Sequence, residues 1–187
     1  KSVAIGYGAL TTQNYDGDAY NVAVGHNAGT NVTTGTNNTL IGGLAGDALT
    51  TGISNIAVGY GSLSTETEHG KNVAIGYFSL LNQNAGADAY NVAVGYNAGL
   101  SVSTGIKNTL IGGQAGDALT TGSYNVAVGS EALSTEDGHG ANVAIGYRSL
   151  KALNAGAEGY NVAIGYEAGK SLSTGTNNTI IGGLAGD

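Results

Sequence analysis

The sequence predicts an all-β fold, a repeat β-solenoid of eleven coils of 17 to 19 residues, and three observations carry that prediction. The first is a strand-like pentapeptide, Asn-Val-Ala-Ile/Val-Gly or Asn-Thr-Leu/Ile-Ile-Gly, that recurs from end to end. It opens at Ser2 and then at Asn21, Asn38, Asn55, Asn72, Asn91, Asn108, Asn125, Asn142, Asn161 and Asn178. The second is the spacing, always 17 or 19 residues, with no 3.6-residue apolar period that would build a helical repeat. The third is composition: 34 Gly, no Pro, and one short β-branched run per unit suit one turn of chain around a narrow core.

A 19-residue unit followed by three 17-residue units makes a super-repeat of 70 residues, covering 2–71, 72–141 and an incomplete 142–187. The chain 1–187 therefore reads as a single array, expected to be an excerpt of a longer fibre because its last unit stops at Asp187 where the equivalents continue into Ala-Leu-Thr-Thr-Gly. The four units are called first (from Ser2, Asn72, Asn142), second (Asn21, Asn91, Asn161), third (Asn38, Asn108, Asn178) and fourth (Asn55, Asn125), and the Asn or Ser is position one.

Each position has a physical reading. Val or Ile usually at position two and always at position four puts these residues on one strand face, which is expected to fill the coil interior. Position three is Ala in eight coils and Leu40, Leu110 or Ile180 in the third units, so the opposite face is apolar too. Such a face on a lone rod would be a large exposed patch, so it is expected to be covered by other copies of the chain, with the Leu or Ile plugging the interface. Gly at position five of every coil marks positive φ or close backbone approach. Position eight is Ala or Ser. Position nine is Leu in first and fourth units and Gly in second and third, which carry an apolar residue three places later, such as Val32 or Leu49. Two loop geometries alternating in pairs are expected from that exchange. The residues Asn21, Asn38, Asn55, Asn72, Asn91, Asn108, Asn125, Asn142, Asn161 and Asn178 are expected to form a structural ladder along one corner, each amide bonding to the next coil.

Composition excludes several functions. The chain has no Cys, hence no disulfide framework, thiolate metal site or cysteine nucleophile. Six Lys and Arg against 13 Asp and Glu give a net charge of −7, which repels nucleic acid and anionic bilayers. No apolar run is long enough to span a bilayer, so no direct membrane insertion is expected of this segment. Val, Ile, Leu and Phe make up only about a fifth of the residues, a level that permits disorder, and it is the periodicity that argues for a fold.

Chemical motifs are sparse. Gly165–Ser171 has phosphate-loop character with its glycine spacing one residue short, and Ile41–Asp47 lacks the nine-residue period of calcium-binding rolls. No metal site, cofactor or catalytic residue is expected: there is no GxSxG or HExxH, and His69 and His139 stand in polar loops without a second histidine nearby. Sequence variety and charge concentrate in the outer loops of fourth and first units, the first units carrying two extra residues. Candidate ligand-binding residues there are Tyr15, Asp16, Tyr20, Glu66, Glu68, His69, Asp88, Tyr90, Glu136, Asp137, His139, Glu158 and Tyr160.

The units NVAIGY, NVAVGYNAG and NTLIGGLAG, with Thr-Thr-Gly at Thr33–Gly35, Thr50–Gly52 and Thr120–Gly122, resemble the YadA-like head repeats of trimeric autotransporter adhesins and the similar arrays of phage tail-fibre-like proteins. The resemblance implies a left-handed parallel β-roll assembled as a homotrimer, although these coils are longer than the adhesin unit. It further implies an extracellular structural and adhesive fibre segment, on a virion tail fibre or bacterial cell surface, that presents loops to a host surface glycan or protein. An ice- or crystal-binding β-solenoid is the alternative, suggested by low charge and many Thr and Asn. An enzyme is not expected.

Overall fold

A computed structural model describes all residues from 1 to 187. It contains no helix and eleven three-residue strands: β1 (Val3–Ile5), β2 (Val22–Val24), β3 (Thr39–Ile41), β4 (Ile56–Val58), β5 (Val73–Ile75), β6 (Val92–Val94), β7 (Thr109–Ile111), β8 (Val126–Val128), β9 (Val143–Ile145), β10 (Val162–Ile164) and β11 (Thr179–Ile181). They form one parallel sheet in sequence order, each strand pairing with the next in register, as Ala4 with Ala23 and Ala23 with Leu40. One strand and one long return per coil make a β-solenoid about 50 Å long at the usual strand spacing.

The structure reverses the expected faces of the strand. Position three points inward: Ala23, Leu40, Ala57, Ala74, Ala93, Leu110, Ala127, Ala144 and Ala163 have no exposed surface. Positions two and four point outward, and the Ile side chains at 41, 56, 75, 111, 145 and 164 keep 36–39% of their surface exposed. The reason is room. A coil this short brings the return chain close under the strand, so only Ala fits unless the opposite wall recedes. Leu40 fits because Gly29 and Gly46 face it: a Cβ on Gly29 would lie 2.5 Å from its Cδ1, and one on Gly46 2.8 Å from its Cδ2. Leu40 and Leu110 are thus core residues matched to position-nine glycines, not plugs between chains.

Position nine Leu (Leu63, Leu80, Leu133, Leu150) and position twelve Val or Leu (Val32, Leu49, Val102, Leu119) are buried, as the exchange of core slots requires. Position twelve faces inward in the other units as well, where it is Gln83, Leu153, Glu66 or Glu136. The expected pairing of loop geometries does not hold. First, second and third units share a turn in which position twelve donates to the position-nine carbonyl, as Gln83 to Leu80 (3.2 Å), Val102 to Gly99 (3.1 Å) and Leu119 to Gly116 (3.2 Å). Fourth units replace that bond with a buried Glu: Glu66 Oε1 accepts from the N–H groups of Thr67 and His69, both at 3.1 Å.

The position-five glycines stack as a file at φ between +124° and +143°. A Cβ at Gly42 would meet the Gly59 carbonyl oxygen at 2.5 Å, so both sequence-level reasons for Gly apply together. Positive φ also recurs at positions seven and nine and at the last residue of each coil, including Leu63, Leu80, Leu133 and Leu150 at 47–52°. The Asn side chains clasp the coils and are buried from Asn21 to Asn161, with Asn178 of the last coil half-buried. Asn91 Oδ1 accepts from the backbone N–H of Asn108 (2.8 Å), and its Nδ2 donates to Gly105 O (2.8 Å) at the far end of the same coil and to Gln83 Oε1 (2.6 Å). The same Oδ1-to-backbone step joins Asn21 to Asn38, Asn38 to Asn55 and on to Asn178.

Candidate functional site

The outward sheet face is the most extensive surface feature. Its two central files are the Val, Ile and Thr residues of positions two and four, aligned by the in-register pairing of all eleven strands. Tyrosines border it on both sides. Along one edge, position six holds Tyr7, Tyr60, Tyr77, Tyr96, Tyr147 and Tyr166, with His26 in the same file; along the other, the last residue of a coil is Tyr20, Tyr90, Tyr124 or Tyr160. Ten of the 11 Tyr therefore flank the face, Tyr15 being the exception. Successive rings of the first border stack: Tyr7 on His26 at 5.5 Å, Tyr60 on Tyr77 at 5.6 Å, Tyr77 on Tyr96 at 5.7 Å and Tyr147 on Tyr166 at 5.5 Å between centroids. Gly43 interrupts the file, and Tyr60 leans over it so that a Cβ there would lie 3.2 Å from the ring. On the second border lysines alternate with the rings, Lys71 Nζ 5.1 Å from the centre of Tyr90 and Lys107 Nζ 5.3 Å from that of Tyr124.

Next to the aromatic border, equivalent positions carry different chemistry in successive super-repeats. Phe78 lies over Gly61, where a Cβ would meet its ring at 2.6 Å. The matching residues Glu131 and Arg148 form a bidentate pair, Arg148 Nε and a terminal nitrogen donating to the two carboxylate oxygens at 3.1 and 3.2 Å. Arg148 and then Lys151 hold the Glu131 carboxyl down to about 2. Two different solutions fill one space.

The candidate loop residues divide three ways. Tyr15, Asp16, Glu68, Asp137 and Glu158 are exposed on outer loops, with His69, His139 and Asp88 half-buried beside them. Tyr20, Tyr90 and Tyr160 belong to the border of the sheet face, because each is the αL residue immediately before an Asn clasp. Glu66 and Glu136, expected on protruding loops, are fully buried. Glu136 Oε1 accepts from His139 N (3.2 Å) and lies 3.3 Å from its Nδ1, and Oε2 accepts from Ala155 N (3.1 Å) in the next coil. Glu66 Oε2 has no hydrogen-bond partner, and burial is the main reason its carboxyl is pushed above the ordinary range. These glutamates anchor the loops rather than presenting a ligand site.

Beyond those anchors, Lys71 Nζ lies 2.6 Å from Asp88 Oδ2 and donates to the Tyr90 hydroxyl at 3.0 Å, which raises the Lys71 pKa and lowers that of Asp88. One super-repeat later Ala141 replaces that lysine, and Glu158 Oε2 still accepts from Gly140 N at 3.1 Å. Ligand atoms of Glu136, Asp137 and His139 lie within 4.8 Å of one another, but both Glu136 oxygens are already committed to backbone N–H groups. The extra residues of the first units form open tips: nothing lies within 4 Å of a Cβ built on Gly86 or Gly156. Two shallow depressions both lie at the first coil, one lined by Lys1, Ser2, Val3, Tyr20, Asn21 and Val22. Comparison with protein-family models, curated proteins and solved structures finds no match.

The Tyr borders were within reach of the sequence. Aligning position six over eleven coils returns Tyr in six of them, and aligning the residue before each Asn returns Tyr in four. The signal is diluted because each file is broken by Gly, Ser, Lys or Asn.

Proposed function

We propose that the chain is a structural and adhesive fibre segment, a rigid extracellular shaft or head on a virion or cell surface, in which three copies pack side by side through their Val/Ile sheet faces. The observation that carries this reading is the exposed apolar face with Tyr on both borders. Eleven coils at about 4.8 Å, across about 13 Å of strand, give a footprint of about 650 Å² per chain, so three copies turned toward a common axis bury about 2,000 Å² in all, above the roughly 1,000 Å² expected of a biological interface. An apolar centre with an aromatic rim is how such interfaces are built. The interface assigned here is the Val/Ile face and not the Ala face, which is internal. The left hand of the roll and the trimer number come from the resemblance to adhesin head and tail-fibre arrays.

Attachment to a host glycan or protein falls to the exposed loop groups, Tyr15, Asp16, Glu68, Asp137 and Glu158, held out at regular intervals by the rod. Ice or crystal binding gains no support. The hydroxyls of Thr33, Thr50 and Thr120 donate to backbone carbonyls of the next coil at 3.2, 3.0 and 2.7 Å and are not a free ordered array. The test is the double variant Val58→Asp with Val128→Asp, which places two carboxylates on the face without touching the core. Association should be lost while the circular dichroism of the coil persists. Unchanged association would remove the face from the interface.

A further inference from the structure

The Tyr border that runs beside the sheet face has a chemistry of its own. Five of its rings stand phenol to phenol on consecutive coils: Tyr60, Tyr77 and Tyr96 in one stack, Tyr147 and Tyr166 in another. Their centroids are 5.5–5.7 Å apart and their planes differ by 12–22°. Strand register fixes the spacing, and the rings reach outward far enough that Tyr60, Tyr77, Tyr96 and Tyr166 keep 44–58% of their surface. Tyr20, Tyr90, Tyr124 and Tyr160 on the opposite border are just as open, at 49–59%, but no two of them are on consecutive coils. Tyr7 stacks on His26 and so has no phenol partner.

We propose that the two stacks are oxidative stapling sites, at which neighbouring coils become joined by dityrosine when the fibre meets a one-electron oxidant, here hydrogen peroxide activated by a haem peroxidase. Each phenol gives up one electron and its hydroxyl proton, and the two phenoxyl radicals join through ring carbons ortho to oxygen. The ring hydrogens at those carbons then move to the oxygens, restoring both phenols. One carbon–carbon bond forms, two hydrogens leave the protein in total, and one peroxide is reduced to two waters. Holding the rings on adjacent coils makes the coupling intramolecular at high effective concentration, an advantage that equally exposed but isolated tyrosines lack. Within the file the order of reaction is set by charge. Arg148 lies 4.8 Å from the centre of the Tyr147 ring, and a cation there makes removal of an electron harder. The 60–77–96 stack therefore couples first. A staple between coils 4 and 5, or 5 and 6, closes a short covalent loop and stiffens the rod where a solenoid is held only by hydrogen bonds and packing.

The experiment treats the folded chain with peroxidase and limiting peroxide and maps cross-linked peptides by mass spectrometry, with the urea-unfolded chain as reference. Intrachain products 60–77, 77–96 and, more slowly, 147–166 are expected, each lighter by two hydrogens. They should be enriched over all other tyrosine pairs by about tenfold relative to the unfolded chain. Tyr77→Phe keeps the ring stack yet should abolish the first two products and spare 147–166, and Tyr147→Phe should do the reverse. The stapled chain should melt at a higher temperature than the untreated one. Products distributed over Tyr20, Tyr90, Tyr124 and Tyr160 in proportion to exposure, products only between chains, or none under conditions that couple free tyrosine would each overturn the proposal.

Discussion

At residue 112 the space in which a side chain would begin is already taken: the carbonyl carbon and oxygen of Gly129 lie 2.6 Å from where a Cβ would stand, and φ is +133°. Gly112→Val should cost on the order of 3 kcal/mol per chain, read as a shift in the denaturation midpoint. Gly86 separates strain from clash, because its φ is +69° with nothing near, so Gly86→Ala should cost only about 1 kcal/mol. Asn91→Ala would strand the buried Asn108 N–H and the Gly105 carbonyl, a loss of about 2–4 kcal/mol in the same assay. The titratable groups pull stability in opposite directions. Glu131, held at about 2 against an ordinary 4.5, contributes above about pH 4.5, and that contribution drains away as pH falls toward about 2. Glu131→Gln should flatten that part of the melting-temperature profile. Glu66 has the reverse sign, because its raised pKa means the folded chain keeps a proton the unfolded chain has released; its contribution is fully present below the ordinary value of 4.5 and is lost as pH rises through the raised folded-state value. Glu66→Gln is therefore expected to leave stability at neutral pH unchanged or raised, and Gln83 shows that the amide fits the same file.

The coil as an element was legible from spacing, its faces were not. Eleven strands begin where the pentapeptides do, and glycine's role at position five follows from its presence in every coil. The alternation of apolar residues, however, marks both faces as apolar and leaves the inner one undecided. What settles it is the size of the cavity the coil can enclose. The clue lay in a correlation across positions: Leu at position three occurs only in coils whose position nine is Gly. Reading position twelve as a file would likewise have shown Glu66 and Glu136 to share a slot with Val32 and Leu49, hence to be inside. Because Leu110 fills the room left by Gly99 and Gly116, Leu110→Ala should open a cavity and cost about 3 kcal/mol. The equivalent enlargement, Ala127→Leu in a coil with Leu133 opposite, should overpack the same core and be destabilising by about 1–3 kcal/mol. Equal tolerance of both changes in thermal unfolding would show the inner wall to be plastic.

For the whole molecule, the small coil forces its larger β-branched residues outward, so the rod's exposed apolar face follows from the narrowness of its own core. Of the candidate site, the exposed loops were legible as stretches of variety and charge, whereas the Tyr borders depended on bends at positive φ that aim residues before the Asn and after the Gly toward the sheet face. The account stands on that face being covered by other copies of the chain. Sedimentation equilibrium of the chain at neutral pH over a hundredfold range of concentration measures this directly. A species of three times the 18.4 kDa chain mass is expected across that range. A folded, monodisperse species of one chain mass across that range would contradict it.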